Sequence, residues 1–522
     1  MKNIVKHYQN PILPGFYPDP SICRVNDDYY LVTSTFAYFP GVPIFHSKDL
    51  VHWEQIGNIL DRKSQLPLQG SGVSEGIFAP TLRYHNGTFY MITTHVSNSL
   101  GNFIVTATDP RGPWSDPYPL GSEGIDPSLF FDDDGTCYYC GTKSRREGSR
   151  YSGDNEIYVQ KLDLDEMKLV GESYPIWHGA LRNVVWPEGP HIYKINGMYY
   201  LLISEAGTDY HHAISIARSK ELFAPFEGNR ANPIFTHRNL GRDVPIVNVG
   251  HPDIVQTQTG EWWMVLLASR PYGGYYRNLG RETFLTPMTW EDGWPIVNPG
   301  KGILEEQGKA PDLETYFVPE IPGKEDFDTD KLPMHFLTLR GPDSDIFTFN
   351  KKKSCLSLPC SSHLLSGTET PAYVARRQQH MDFSVETSLS FQPGSGEMAG
   401  LCLFQNETNH LKFGIQKDQL VLTEIKDGTE RTCFKVSFDN SEEFVQLKIE
   451  ARSQSLTCYY KKSTDTDYIL AGFPTDTSFL CTDFAGGFVG NTIGLFAETV
   501  AEAASDSQEN YAHFDYLQYL HA

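Results

Sequence analysis

Three carboxylates and an imidazole in this 522-residue chain share one local setting, immediately before a proline or one residue short of it. They stand in Asp19-Pro20-Ser21-Ile22, Asp126-Pro127-Ser128-Leu129, Glu188-Gly189-Pro190-His191 and His251-Pro252-Asp253-Ile254. A fifth segment, Ala79-Pro80-Thr81-Leu82, has the same form without a titratable group before its proline. A pair of carboxyl groups flanking a glycosidic bond is the minimum apparatus for hydrolysing it. One protonates the leaving oxygen, and the other activates water or attacks as a nucleophile. Asp-Pro is also a common turn, and any one of these acids read alone is turn chemistry. Three acids at one repeat position read differently, because stability does not require them and like-charge repulsion opposes gathering them.

The elements that must position these groups follow from the same repeat. After each proline comes a short apolar strand, a turn and an aromatic strand: Asp28-Tyr29-Tyr30-Leu31-Val32, Gly87-Thr88-Phe89-Tyr90-Met91, Gly135-Thr136-Cys137-Tyr138-Tyr139, Gly197-Met198-Tyr199-Tyr200 and Gly260-Glu261-Trp262-Trp263. The prolines at 20, 80, 127, 190 and 252 give a period of roughly 50 to 60 residues, enough for a four-stranded unit. Five such units predict an all-β, five-bladed β-propeller in which equivalent positions meet at one end of the axis. Tyr38-Phe39-Pro40-Gly41-Val42-Pro43 falls in the first unit on this reading.

Past Pro299-Gly300 the chain becomes a polar connector up to about Asp328. Alternating strands such as 383–391 and 444–450 then follow without the proline repeat, which predicts a β-sandwich. The expected domains are 1–322 and 323–522.

A net charge of −22 argues against nucleic acid or an anionic membrane as partner and is compatible with a neutral ligand. There is no run of about 18 apolar residues to span a bilayer, and the first ten residues hold no apolar export segment. Nine cysteines, an odd number scattered over a large chain, fit reduced thiols and a cytoplasmic location.

The motifs together resemble the glycoside hydrolase family 43 β-xylosidases, including members that also cleave α-L-arabinofuranosides. The resemblance rests on 15–22, on 36–43, on Gly124-Ile125-Asp126-Pro127-Ser128-Leu129, on Glu188-Gly189-Pro190-His191 and on Leu279-Gly280-Arg281-Glu282-Thr283. It covers both domains and implies that the second is a concanavalin-like sandwich closing one side of the pocket. It further implies an inverting mechanism with Asp19 as general base, Glu188 as general acid and Asp126 orienting the acid and raising its pKa. Phe36 and Arg281 would bind the sugar. His251 would lie beneath it, holding water or a calcium ion; no cofactor is required. Phe78 replaces a tryptophan platform, and Glu75 adds a carboxylate beside it, which bears on the choice between xylose and arabinose. Phe484, in the segment 483–490, would reach over the propeller.

The implied substrates are short xylo- or arabinoxylo-oligosaccharides cut from the non-reducing end, and assembly into a homo-oligomer is compatible with the sequence. Two other readings compete. A non-catalytic sugar-binding propeller would be favoured by loss of an acid, and all three are present. A fructan-cleaving propeller would carry Trp-Met-Asn-Asp-Pro-Asn where this chain has Phe16-Tyr17-Pro18-Asp19-Pro20.

Overall fold

The computed structural model describes residues 6–181, 183–341, 346–438, 444–500 and 510–521, so the expectation for the first ten residues lies half outside it. Five four-stranded antiparallel sheets, each running in chain order, form the N-terminal part. Their first strands are Ser21–Val25, Thr81–His85, Ile125–Phe131, Glu188–Ile195 and Val247–Gln256, and each packs on the next around an axis, with Val247–Gln256 returning to Ser21–Val25. Blades packed face to face cover their second strands on both sides. The sequence reflects this: Thr88–His95, Met198–Glu205 and Trp262–Ser269 are buried at every position after the first.

The chain's start is tied to the end of the propeller. His7–Gln9 pairs with Gln307–Lys309. The Asn10 amide donates to the carbonyls of Leu285 and Glu305, both at 2.9 Å, and accepts from the Leu285 N–H at 2.9 Å. A buried ionic knot joins four blades. Asp253, fully buried, accepts from Ser21 Oγ (2.8 Å), the Ile22 N–H (3.0 Å), Arg83 Nη1 (2.9 Å) and the Tyr193 hydroxyl, and Arg83 Nη2 meets His191 Nδ1 at 2.8 Å.

From Lys324–Glu325, which pairs with Tyr511–His521, the strands belong to a second unit of two sheets, nine- and eight-stranded, around its own apolar core. The change of partner thus falls between residues 309 and 324. The sequence placed Tyr38–Phe39 in the first blade. Instead it leaves the propeller and pairs with Phe336–Leu339 as an edge strand of the eight-stranded sheet, while the blade takes Gly41–Ser47 as its third strand. A free sheet edge is satisfied by whichever strand is nearest in space, which a repeat pattern does not reveal.

The two units also touch backbone to backbone. A Cβ on Gly280 would fall 2.7 Å from Gly490 Cα, and Asn491 N–H donates to Asn278 O at 2.9 Å. Glycine at both 280 and 490 therefore permits the approach that brings the loop after the short helix Thr482–Ala485 to the propeller mouth.

Candidate active site

The residues before the repeat prolines are set by an unusual backbone. Asp19, Asp126, Gly189 and His251 have φ of 56°, 52°, 57° and 49°. Non-glycine residues avoid this region, most of all before proline, so the ring of blades must hold them there against strain. The ladders break at the same places: register shifts lie between Ile125 and Ser128, between Glu188 and His191, and between Gly250 and Asp253. A bulge of this kind re-aims a side chain. Here it turns Asp126, Glu188 and His251 into the funnel beside Asp19. Gly189 takes the position that the other blades give to an acid, a histidine or Ala79. A Cβ there would come within 3.0 Å of the His251 ring, which is why the acid of the fourth blade sits one residue earlier, at Glu188.

The funnel is a pocket of about 480 Å³, a size suited to a small ligand. At its base Asp19 is almost fully buried. It accepts from Arg281 Nη1 at 2.8 Å and Ser34 Oγ at 2.6 Å, with His251 Nδ1 at 3.7 Å. Burial pushes its pKa up, but Arg281, His251 and the Ser34 bond together outweigh burial and hold it below the usual carboxylate range. Glu188 shows the opposite balance. Burial raises it well above the ordinary value, and the charges of Asp126 and Asp19 raise it further. Asp126 is also raised, by burial first and by Asp19, while His251 and the Gly189 N–H (3.1 Å) act the other way. The pocket therefore favours the ionised form of Asp19 and the protonated form of Glu188, one carboxyl fit to take a proton and one fit to give it.

Three phenyl rings wall the base. Phe36 stacks with Phe488 (6.1 Å between centroids, 17°), and Phe78 meets both edge-on at 5.6 and 5.7 Å. Arg281 lies 5.6 Å from the Phe36 and Phe488 rings, and its Nη2 donates to Phe488 O at 3.3 Å. Phe36 is fixed by a two-way bridge to Ile77, and Gly76 is required beside it because a Cβ would fall 2.5 Å from Phe36 O. Glu75 does not enter the pocket; it accepts from the Gly72 N–H in its own turn.

Phe484 requires a correction. Its ring is 43% exposed, packs against Phe479 and lies under Lys426, and does not reach the pocket. The sandwich ring that does is Phe488, four residues on, held by its N–H to Ser74 Oγ at 2.9 Å. Phe484 falls within the single helical turn Thr482–Ala485, and the following Gly486-Gly487 pair, with φ of 70° and 77°, turns the chain so that position 488 faces inward. Sequence reading found the segment but took the wrong phenylalanine in it. Phe488→Ala should accordingly lower kcat/KM by about 10²-fold, through a misplaced sugar ring, whereas Phe484→Ala should leave it within about twofold of wild type. Steady-state kinetics on both variants checks this.

A calcium ion at His251 does not suit the donors. Calcium takes six to eight oxygens, yet the nearest carboxylate, Asp19, is committed to Arg281, and among the described residues no group of three His, Cys, Asp or Glu side chains could hold a metal. Three further pocket residues had no sequence signal pointing to them: Thr208, which accepts from Arg281 Nη1 at 3.2 Å, Arg277 and the half-exposed Trp186.

Known proteins resemble this chain in both of its units. Residues 8–295 match the model of glycosyl hydrolases family 43, and 324–520 that of the β-xylosidase C-terminal concanavalin A-like domain. A xylosidase/arabinosidase of Butyrivibrio fibrisolvens is 52% identical over 97% of this chain and 98% of its own. A non-reducing-end α-L-arabinofuranosidase of Bacteroides ovatus is 37% identical over 98% of this chain and 95% of its own. Among solved structures, a xylan β-1,4-xylosidase from Bacillus halodurans superimposes with a TM-score of 0.91 at 36% identity, covering 98% of this chain and all of that one. With a five-bladed propeller, a sandwich that lends a ring to its pocket and two carboxyls whose pKa values are pushed in opposite directions inside, the chain belongs to glycosyl hydrolases family 43.

Proposed function

We propose that the protein is an exo-acting, inverting glycosidase that releases xylose from the non-reducing end of short xylo-oligosaccharides and also accepts terminal α-L-arabinofuranose. The observation that carries this reading is the split between Asp19 and Glu188, one held below the usual carboxylate range by Arg281, His251 and Ser34 and the other raised well above it by burial and its acidic neighbours. Glu188 protonates the leaving oxygen as the bond breaks. Asp19 takes a proton from the water that attacks the opposite face of the sugar, and Asp126 keeps the acid charged with its proton between turnovers. The wall supplied by Phe488 supports end-on binding, since a pocket closed on one side receives a chain end rather than the middle of a polymer.

The dual preference draws on the similarity to the xylosidase/arabinosidase and on Phe78, a smaller platform than tryptophan. A cytoplasmic location, expected from nine cysteines of which none is paired, belongs to the same proposal.

Hydrolysis of an aryl β-D-xyloside and an aryl α-L-arabinofuranoside, side by side and with the first-formed anomer followed by NMR, tests it. Both substrates should be cleaved with inversion. A retained anomer would remove Asp19 from the role of base, and cleavage of neither substrate would remove the substrate class.

A further inference from the structure

One pocket residue has no part in the chemistry above. Trp186 lies two residues before Glu188, lines the funnel and is 45% exposed, whereas Phe36 and Arg281 at the base are 1% and 7% exposed. Its placement is built. The backbone at 186 is held at φ 47°, and its N–H donates to Gly153 O at 2.8 Å. The indole is bedded on two glycines from different loops. A Cβ on Gly153 would fall 2.8 Å from Nε1, and one on Gly207 would fall 2.8 Å from Cε3. Neither loop tolerates a side chain there, and among the described residues no other ring packs on this indole. A large apolar face held open to a pocket by two glycine loops and a left-handed backbone is not explained by core packing.

The direction of the chemistry says what should cover it. Glu188 protonates the oxygen that departs, so the departing part of the substrate begins at Glu188 and extends toward the mouth, where Trp186 stands. The sugar that is retained lies on the other side, toward Asp19 and Phe36. We propose that Trp186 is the platform for the leaving-group residue, a pyranose or furanose whose C–H face stacks on the indole, and that it sets the preference for oligosaccharides over glycosides with nothing to stack. This rests on reading the protein as a glycosidase with Glu188 as its acid.

The test compares xylobiose with β-D-xylosyl fluoride and α-L-arabinofuranosyl fluoride, in which the leaving group is a single atom and nothing reaches Trp186. Trp186→Ala should lose about 10- to 100-fold in kcat/KM on xylobiose, the contribution of one buried ring face, and no more than about twofold on the fluorides. Trp186→Phe should recover most of the loss. Equal activity of Trp186→Ala and wild type on xylobiose would overturn the proposal, as would an equal loss on xylobiose and on the fluorides. Were the wild-type enzyme to hydrolyse neither fluoride nor xylobiose, the glycosidase reading itself would fall and the platform with it.

Discussion

Glu188→Gln and Asp19→Asn should each lose at least about 10²-fold in kcat on xylobiose while folding normally, because in the proposed mechanism each removes one partner of a proton transfer. The two losses should differ in kind. A good leaving group departs with little help, so Glu188→Gln should retain far more activity on an aryl glycoside with an acidic phenol than on xylobiose. Asp19→Asn should lose equally on both, since the attacking water needs its base whatever the leaving group. Asp126→Asn completes the set through pH. Glu188 must be protonated to act, so activity falls as pH rises through its pKa. Burial raises that pKa first, and the Asp126 charge adds to it. Neutralising Asp126 should therefore move the alkaline limb of kcat/KM to lower pH while the Gly189 N–H keeps an acceptor. Leaving-group dependence that is the same for Glu188→Gln and Asp19→Asn, or an alkaline limb unmoved in Asp126→Asn, would reverse these roles.

The second large effect belongs to stability. Asp253→Asn should destabilise the propeller by about 3–5 kcal/mol, the cost of leaving a buried charge without its partner. Arg83 would lose the carboxylate that neutralises it, in a knot that also engages Ser21 and Tyr193 and so spans four blades. The sign with pH follows from the direction of the shift. Burial pushes Asp253 up, but Arg83, His191 and the bonds from Tyr193 and Arg83 bring it down to about 2 in the folded chain, against about 3.9 for a free aspartate. A depressed pKa stabilises the fold fully above the unfolded value. The contribution declines as pH falls from about 4 through about 2. Thermal melts of wild type and Asp253→Asn should therefore differ most at neutral pH and converge toward pH 2. A constant gap across that range would mean that the carboxylate's charge is not what holds the blades.

Much of this molecule is legible in one dimension, and the reason is repetition. A propeller blade is a local antiparallel sheet, so its turn, its aromatic second strand and the proline at its start recur at a readable period. Ring symmetry then carries Asp19, Asp126, Glu188 and His251 to one mouth without any knowledge of distances. The sandwich was legible only as alternation, which names the class of element and not its partners. Sequence therefore determined the blades, the acids and the presence of a second β unit.

Tertiary structure alone decided the rest, because the rest depends on contacts between residues far apart in the chain. Tyr38–Phe39 joins a sheet whose paired strand lies some three hundred positions away, at Phe336–Leu339. Phe488 rather than Phe484 meets Phe36, because a helical turn and two left-handed glycines set which ring faces inward. The split in protonation between Asp19 and Glu188 is likewise a property of place. Both are carboxylates preceding a repeat proline, and only the arrival of Arg281, His251 and Ser34 at one, and of burial and two like charges at the other, pushes their pKa values apart, the split on which the proposed roles of base and acid rest.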